Sequence, residues 1–322
     1  MSQPLPTRRR FLARSAAALG SASLLPVAFP ARALDPKPPA AAAGTLRIGG
    51  DLVVHRLGFG AMRLTGDGIW GEPKDPREAR AVLRKALELG VNFIDTADAY
   101  GPQVSERLIA EALYPYPRGL LIATKGGQTR PGPNVWVQDG RPEHLREACE
   151  ASLRRLKVER IDLYQMHWPD AKVRYADSIG ALARLREEGK IRHIGVSNVS
   201  PEQLATARSI VDIASVQNRY NIADRGSDPV LEVCERERLA FIPWGPLAQR
   251  AQASSTPDAH LSALEKLAAA RGIDVNRAAL AWLLARSPVM LPIPGTSRSD
   301  HLEDDLAAAQ IRLTPAEMAA IG

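Results

Sequence analysis

Short apolar runs recur eight times between residues 57 and 293, each followed by a stretch with helical periodicity. Residues 57–60 precede a glycine-containing loop and a helix over 77–89, and 93–95 precede a helix over 105–112. The run 120–124 leads through a long loop to the strongly periodic 142–156. Residues 161–167 are followed by 175–188, 193–197 by 201–209, and 215–217 by 228–238. The run 240–244 leads to a helical pair over 260–271 and 275–285, and 290–293 to a helix over 301–309. Strands separated by helices pair in parallel, because the crossover is long enough to return to the same sheet edge. Eight such units predict an α/β fold closed as a (β/α)8 TIM barrel. Leu46-Arg47-Ile48 and Leu52-Val53-Val54, either side of Gly49-Gly50-Asp51, predict a short hairpin before it. An open dinucleotide-binding sheet is the weaker alternative: Gly58-Phe59-Gly60 lacks the third glycine of a GxGxxG fingerprint.

Residues 1–33 stand outside this pattern. Thr7-Arg8-Arg9-Arg10-Phe11-Leu12 precedes a mildly apolar, Ala-rich stretch and the small-x-small pattern Ala31-Arg32-Ala33. This reads as a twin-arginine-type signal peptide. It predicts the twin-arginine export machinery as a partner and a periplasmic or exported location, or a cytoplasmic one if the signal is not used. So short and Ala-rich a stretch fits a processed signal better than a stable membrane span. Residues 34–44, rich in Pro and Ala, read as a linker, and 45–322 as the barrel. The signal holds five arginines and no acids, so the formal charge of +6 falls to +1 over 34–322. Nothing in that remainder steers the protein to nucleic acid. Cys149 and Cys234 are too few for a disulfide framework, and they read as packing residues of helices.

In a parallel barrel the C-terminal strand ends share one mouth. Asp95 ends the second strand, Lys125 the third and His167 the fourth, and Tyr100 lies in the loop after the second. A phenol, with a reference pKa of about 10, is a poor acid near neutrality. A neighbouring ammonium favours the phenolate, and a carboxylate paired to that ammonium keeps it charged and oriented. Taken singly, these residues have structural readings: a loop cap, a neutralised ion pair, a core histidine. Together, at the ends of three successive strands, they predict a proton-donating site. With one histidine, no nearby cysteine and a lysine that repels cations, no metal is expected. No Gly-x-Ser-x-Gly elbow points to acyl transfer.

Later strand ends contribute Ser197 and Asn198, then Gln217, then Trp244. Hydroxyl and carboxamide groups read a carboxamide by paired hydrogen bonds, and an indole offers a flat stacking surface. Gly295-Thr296-Ser297-Arg298 introduces the last helix with free amides, hydroxyls and a guanidinium suited to a phosphate.

These residues resemble the aldo/keto reductase family over essentially all of 45–322. Phe93-Ile94-Asp95-Thr96-Ala97-Asp98-Ala99-Tyr100-Gly101 looks like that family's first signature, and Ile161-Asp162-Leu163-Tyr164-Gln165-Met166-His167-Trp168-Pro169 its second. Gly195-Val196-Ser197-Asn198 agrees as well. The resemblance implies Tyr100 as general acid, Lys125 and Asp95 as the pair that lowers its pKa, and His167 as the group orienting the substrate. It implies Gly60, Met62, Asp95, Ser197, Asn198, Gln217 and Trp244 at the nicotinamide end of a cofactor. Gly295, Thr296, Ser297, Arg298, Asp304 and Asp305 are implied at the adenosine-phosphate end. The chain departs from the family at Trp244, often tyrosine, and at Gly295 and His301, where some members carry lysine and arginine. NADP(H) is the expected cofactor through Arg298, with NAD(H) left open. The expected reaction is reduction of an aldehyde or ketone, by a monomer with an open mouth walled by Met62, Trp70, Trp136 and Trp168. The alternatives are a nicotinamide-binding regulatory or scaffold subunit with little turnover, and a cofactor-free barrel lyase or isomerase.

Overall fold

A computed structural model describes residues 38–247 and 259–322. The expected signal over 1–33 and the start of the expected linker lie outside those residues. The chain opens with the hairpin β1 (Thr45–Ile48) and β2 (Leu52–His55), paired antiparallel. Strands β3 (Phe59–Gly60), β4 (Phe93–Asp95) and β5 (Leu121–Gly126) follow, then a second antiparallel hairpin, β6 (Gln128–Gly132) and β7 (Val135–Gln138). Strands β8 (Ile161–Met166), β9 (Ile191–Ser197), β10 (Ile213–Gln217) and β11 (Ala240–Phe241) complete the set. Seven strands form one sheet in the order β11-β10-β9-β8-β5-β4-β3, every neighbour parallel.

The eighth stave closes the ring without regular strand geometry. Phe241 N donates to Val289 O (2.9 Å) and Leu291 N to Phe241 O (2.8 Å), joining 289–294 to β11. On the other side Gly58 N and Gly60 N donate to Pro292 O and Pro294 O, each at 3.0 Å. Pro292 and Pro294 have no N–H to return, so that ladder runs one way. Backbones meet closely here. A Cβ on Gly60 would lie 2.7 Å from Ile293 O, and one on Gly295 only 2.4 Å from Gly60 O.

Helices α1 (Pro76–Glu88), α2 (Val104–Leu113), α3 (Pro142–Leu156), α4 (Tyr175–Glu187), α5 (Pro201–Ile210) and α6 (Asp228–Glu237) cover the outside. They are joined by α7 (Ala259–Arg271), α8 (Val275–Arg286), α9 (Ser299–Ala307) and a terminal α10 (Pro315–Ile321). Starts are chemically specified. Asp75 accepts from the Arg77 and Glu78 amides before α1, and Ser200 with Gln203 closes a capping box on α5. The helix-facing core is distinct from a smaller interior cluster in which Phe93, Leu121, Leu163, Ile242 and Leu291 meet Ile48 and Val54 of the hairpin.

Two regions are more ordered than their composition predicts. Residues 39–43, within the expected linker, form a 3-10 helix with Ala40 and Ala43 buried, and Ala40 N donates to Leu89 O (3.0 Å). The long loop after the third strand is largely the β6–β7 ribbon. Both cysteines are free and buried, and no described helix is long and apolar enough to cross a membrane.

Candidate active site

Strand parity aims the polar groups inward. Phe93 and Asp95 share the inner face of β4, as do Leu121, Ala123 and Lys125 on β5, and Leu163 and Gln165 on β8. The apolar members fill the barrel floor and the polar ones lie above them.

Lys125 is fully buried, and its Nζ is the hub. It donates to Asp95 Oδ1 (2.5 Å), to Thr96 O (2.8 Å) and to the Tyr100 hydroxyl (3.2 Å). Asp95 Oδ2 in turn accepts from Gln165 Nε2 (3.1 Å) and Gln217 Nε2 (2.8 Å). A buried ion pair holds only when its remaining lone pairs are satisfied, and the two carboxamides do that here. Gly195 leaves room for Gln165: a Cβ there would lie 2.8 Å from Gln165 Cγ and 2.3 Å from Ser215 Oγ.

Burial pushes the Tyr100 phenol above its ordinary range, the Lys125 charge opposes this, and Asp95 and Asp98 reinforce it. The expected lowering by Lys125 is therefore present but outweighed by desolvation, and Tyr100 holds its proton at neutral pH. Burial would lower Lys125, but the Asp95 charge and hydrogen bond, with Tyr100, hold it raised. His167 is pushed well below the usual imidazole range by burial, with the charges of Lys125 and Arg130 adding to it, so its ring is neutral. The His167 ring stands edge-on to Tyr100, centroids 5.7 Å apart, and its Nδ1 is buried without a partner among the described residues.

The amide series forms a second network. Ser197 Oγ donates to Gln217 O (2.6 Å), and Asn198 Nδ2 to Ser197 Oγ (2.9 Å) and His167 O (3.1 Å). Trp244 Nε1 donates to Asn198 Oδ1 (2.9 Å), fixing the indole beside the mouth. Asn198 holds this position in the left-handed backbone region, φ +57°, which Asn tolerates better than most residues. These groups line a cavity of about 560 Å³ with Gly60, Met62, Asp95, Tyr100, His167 and Gly295. A dinucleotide's amide end fits this lining, because the Ser197 hydroxyl and the Asn198 and Gln217 carboxamides, which together offer both donors and acceptors, border the same space.

The other end is less gathered. Thr296 is buried, and its Oγ1 accepts from Arg298 N (3.1 Å). The Arg298 Nε lies 3.0 Å from Asp300 Oδ1, so the guanidinium is already paired. Ser297 is exposed at the turn into α9. Asp304 pairs with Arg277 of α8, and Asp305 is buried, its carboxyl pushed up to about 7 by desolvation, with Asp304 and Asp274 adding to it. None of these five lines the cavity. Of the expected walls, Met62, Trp136 and Trp168 line it, whereas Trp70 stands behind Arg130.

Two site residues escaped the sequence reading. Gln165 shares the inward parity of Lys125 and Asp95, which was a usable signal. Arg130 lies in a Pro- and Gly-rich stretch whose pairing into a ribbon no local pattern foretold. Among the described residues, no group of three or more His, Cys, Asp or Glu is arranged to hold a metal.

A model of the aldo/keto reductase family matches residues 56–322. An uncharacterized oxidoreductase of Schizosaccharomyces pombe is 50% identical over 279 residues, covering 85% of this chain and 88% of that protein. The pyridoxine 4-dehydrogenase of Escherichia coli is 41% identical over 268 residues, covering 81% and 91%. Among solved structures, an aldo-keto reductase of Klebsiella pneumoniae in complex with NADPH superposes with a TM-score of 0.71 at 28% identity, covering 86% and 93%.

Proposed function

Because the chain belongs to the aldo/keto reductase family, we propose that it is an NADP(H)-dependent oxidoreductase reducing an aldehyde or ketone to the alcohol, with Tyr100 as proton donor. The observation that carries this reading is the Lys125 ammonium bridging Asp95 and Tyr100 at the cavity wall, with the neutral His167 ring beside them. The nicotinamide of a bound cofactor supplies the hydride. Tyr100 Oη gives its proton to the carbonyl oxygen, and the fixed Lys125 charge stabilises the phenolate that remains. Asp95, held by Gln165 and Gln217, keeps the ammonium in place. His167 orients the carbonyl without competing for the proton. Ser197, Asn198 and Gln217 would hold the cofactor's carboxamide, Trp244 would offer the nicotinamide ring a flat face, and Gly60 and Met62 would complete that end of the site. Gly295, Thr296, Ser297 and Arg298, with Asp304 and Asp305, would take the cofactor's phosphate-bearing adenosine.

NADP(H) is favoured by the Klebsiella relative solved with NADPH and by Arg298. The Arg298–Asp300 pair must open to admit a 2′-phosphate, so NAD(H) belongs in the same test. The name of the Escherichia coli relative supports a ring-borne alcohol and aldehyde as the first substrate pair to try. Purified protein is mixed with NADPH or NADH and a carbonyl panel that includes pyridoxal, and cofactor absorbance is followed. Carbonyl-dependent consumption is expected. Tight dinucleotide binding with no consumption across the panel points instead to a regulatory or scaffold subunit.

Export is proposed on the arginine run Arg8-Arg9-Arg10 and the Ala31-Arg32-Ala33 pattern. A route for folded proteins carries the barrel out with its cofactor bound. Replacing the three arginines by lysine should hold the protein in the cytoplasm; an unchanged cell distribution contradicts export.

A further inference from the structure

Arg130 of β6 is a buried cation with no ion pair among the described residues; it is 7% exposed. Its donors go to backbone carbonyls of three separate segments: Nε to Val135 O (2.8 Å), Nη1 to Ala99 O (3.1 Å) and Nη2 to Gly68 O (2.9 Å). Its guanidinium carbon stands 3.6 Å from the Trp136 ring centroid and 5.9 Å from that of Trp70. Trp136 in turn meets Tyr100 and His167 edge-on, at centroid separations of 6.3 and 6.2 Å. A planar fork that both stacks and donates in its plane makes such a clamp where lysine, a single point charge, does not.

We propose that Arg130 is a positioning residue for the proton-donating site: it seats Trp136 against Tyr100 and His167 and sets a second fixed positive charge beside that ring pair. This rests on the reductase reading above. Burying a cation without a carboxylate is costly, and the carbonyls and indole faces that take it up hold its charge beside the Tyr100–His167 ring pair. The charged and titratable groups facing Tyr100 are Asp95 on β4, Asp98 on the following loop, Lys125 on β5, Arg130 on β6 and His167 after β8. Those facing His167 are Tyr100, Lys125 and Arg130. The two cations act in one direction at both rings: they favour a phenolate at Tyr100 and a neutral imidazole at His167.

The test compares full-length wild type with Arg130→Met and Arg130→Lys, after circular dichroism has shown that each is folded. Arg130→Gln, which keeps two N–H donors, replaces the methionine variant should that one not fold. The Tyr100 phenolate is titrated by absorbance, each protein read against its counterpart also carrying Tyr100→Phe. In Arg130→Met the phenolate should form at higher pH than in wild type; Arg130→Lys, which keeps the charge but not the fork, should titrate nearer wild type than Arg130→Met does. For alcohol oxidation, Arg130→Met should lose about tenfold in kcat near neutral pH, the loss narrowing as pH rises, with a smaller change in KM. Identical Tyr100 titration in wild type and Arg130→Met, or a lysine variant that behaves as the methionine one, overturns the proposal. If wild type turns over no substrate, the reductase reading fails, while the absorbance titration still decides the role of Arg130.

Discussion

Gln217 reaches across the mouth to Asp95, its Nε2 2.8 Å from Asp95 Oδ2. The side chain proposed to read the cofactor's carboxamide therefore also steadies the carboxylate behind the proton donor. Removing it should be felt at both. Gln217→Ala is expected to weaken dinucleotide binding and to lower kcat, each by about tenfold, the scale of one charge-assisted hydrogen bond. Fluorescence titration and initial rates check this, and a change confined to the carbonyl KM contradicts it.

Lys125 and Asp95 are both almost wholly inaccessible to solvent, so neither tolerates loss of the other. Lys125→Met should cost about 3–5 kcal/mol of stability, because it leaves a carboxylate buried beside two carboxamides. Lys125→Met with Asp95→Leu should cost less than the single change, since no uncompensated charge remains. Denaturant unfolding of the two variants measures the difference; equal losses run against it.

Asp98 carries a carboxyl oxygen that is enclosed without a partner among the described residues. Burial first, then the charge of Glu106, pushes its pKa up to about 8 from 3.8. Between those values the folded chain holds a proton that the unfolded chain releases, so stability falls as pH rises through that window. Asp98→Asn cannot ionise and should lose that part of the slope. Its melting temperature relative to wild type should rise between about pH 5 and pH 8. A difference that stays constant over this range contradicts the assignment.

Much of the fold was legible because it follows local pattern. The periodic run 142–156 matches α3 residue for residue, and the inward parity of Asp95 and Lys125 is a property of strands alone. What depends on distant backbone was not. Two prolines make the eighth stave irregular, and its closure rests on hydrogen bonds from Gly58 and Gly60, more than two hundred residues earlier. The ribbon carrying Arg130 and Trp136 pairs within a stretch rich in Gly and Pro, where strand propensity is low. Arg298 read as a free phosphate ligand because its pairing with Asp300 is a matter of rotamer, not of pattern.

The central claim is that Tyr100, poised on Lys125 and Asp95, gives the proton that completes carbonyl reduction. The most direct measurement is the single-turnover rate of Tyr100→Phe with NADPH bound, beside its dinucleotide affinity. Loss of reduction by about a thousandfold, within the range for a removed general acid, with affinity near that of wild type, is the result expected. Reduction at the wild-type rate in that variant would contradict the account.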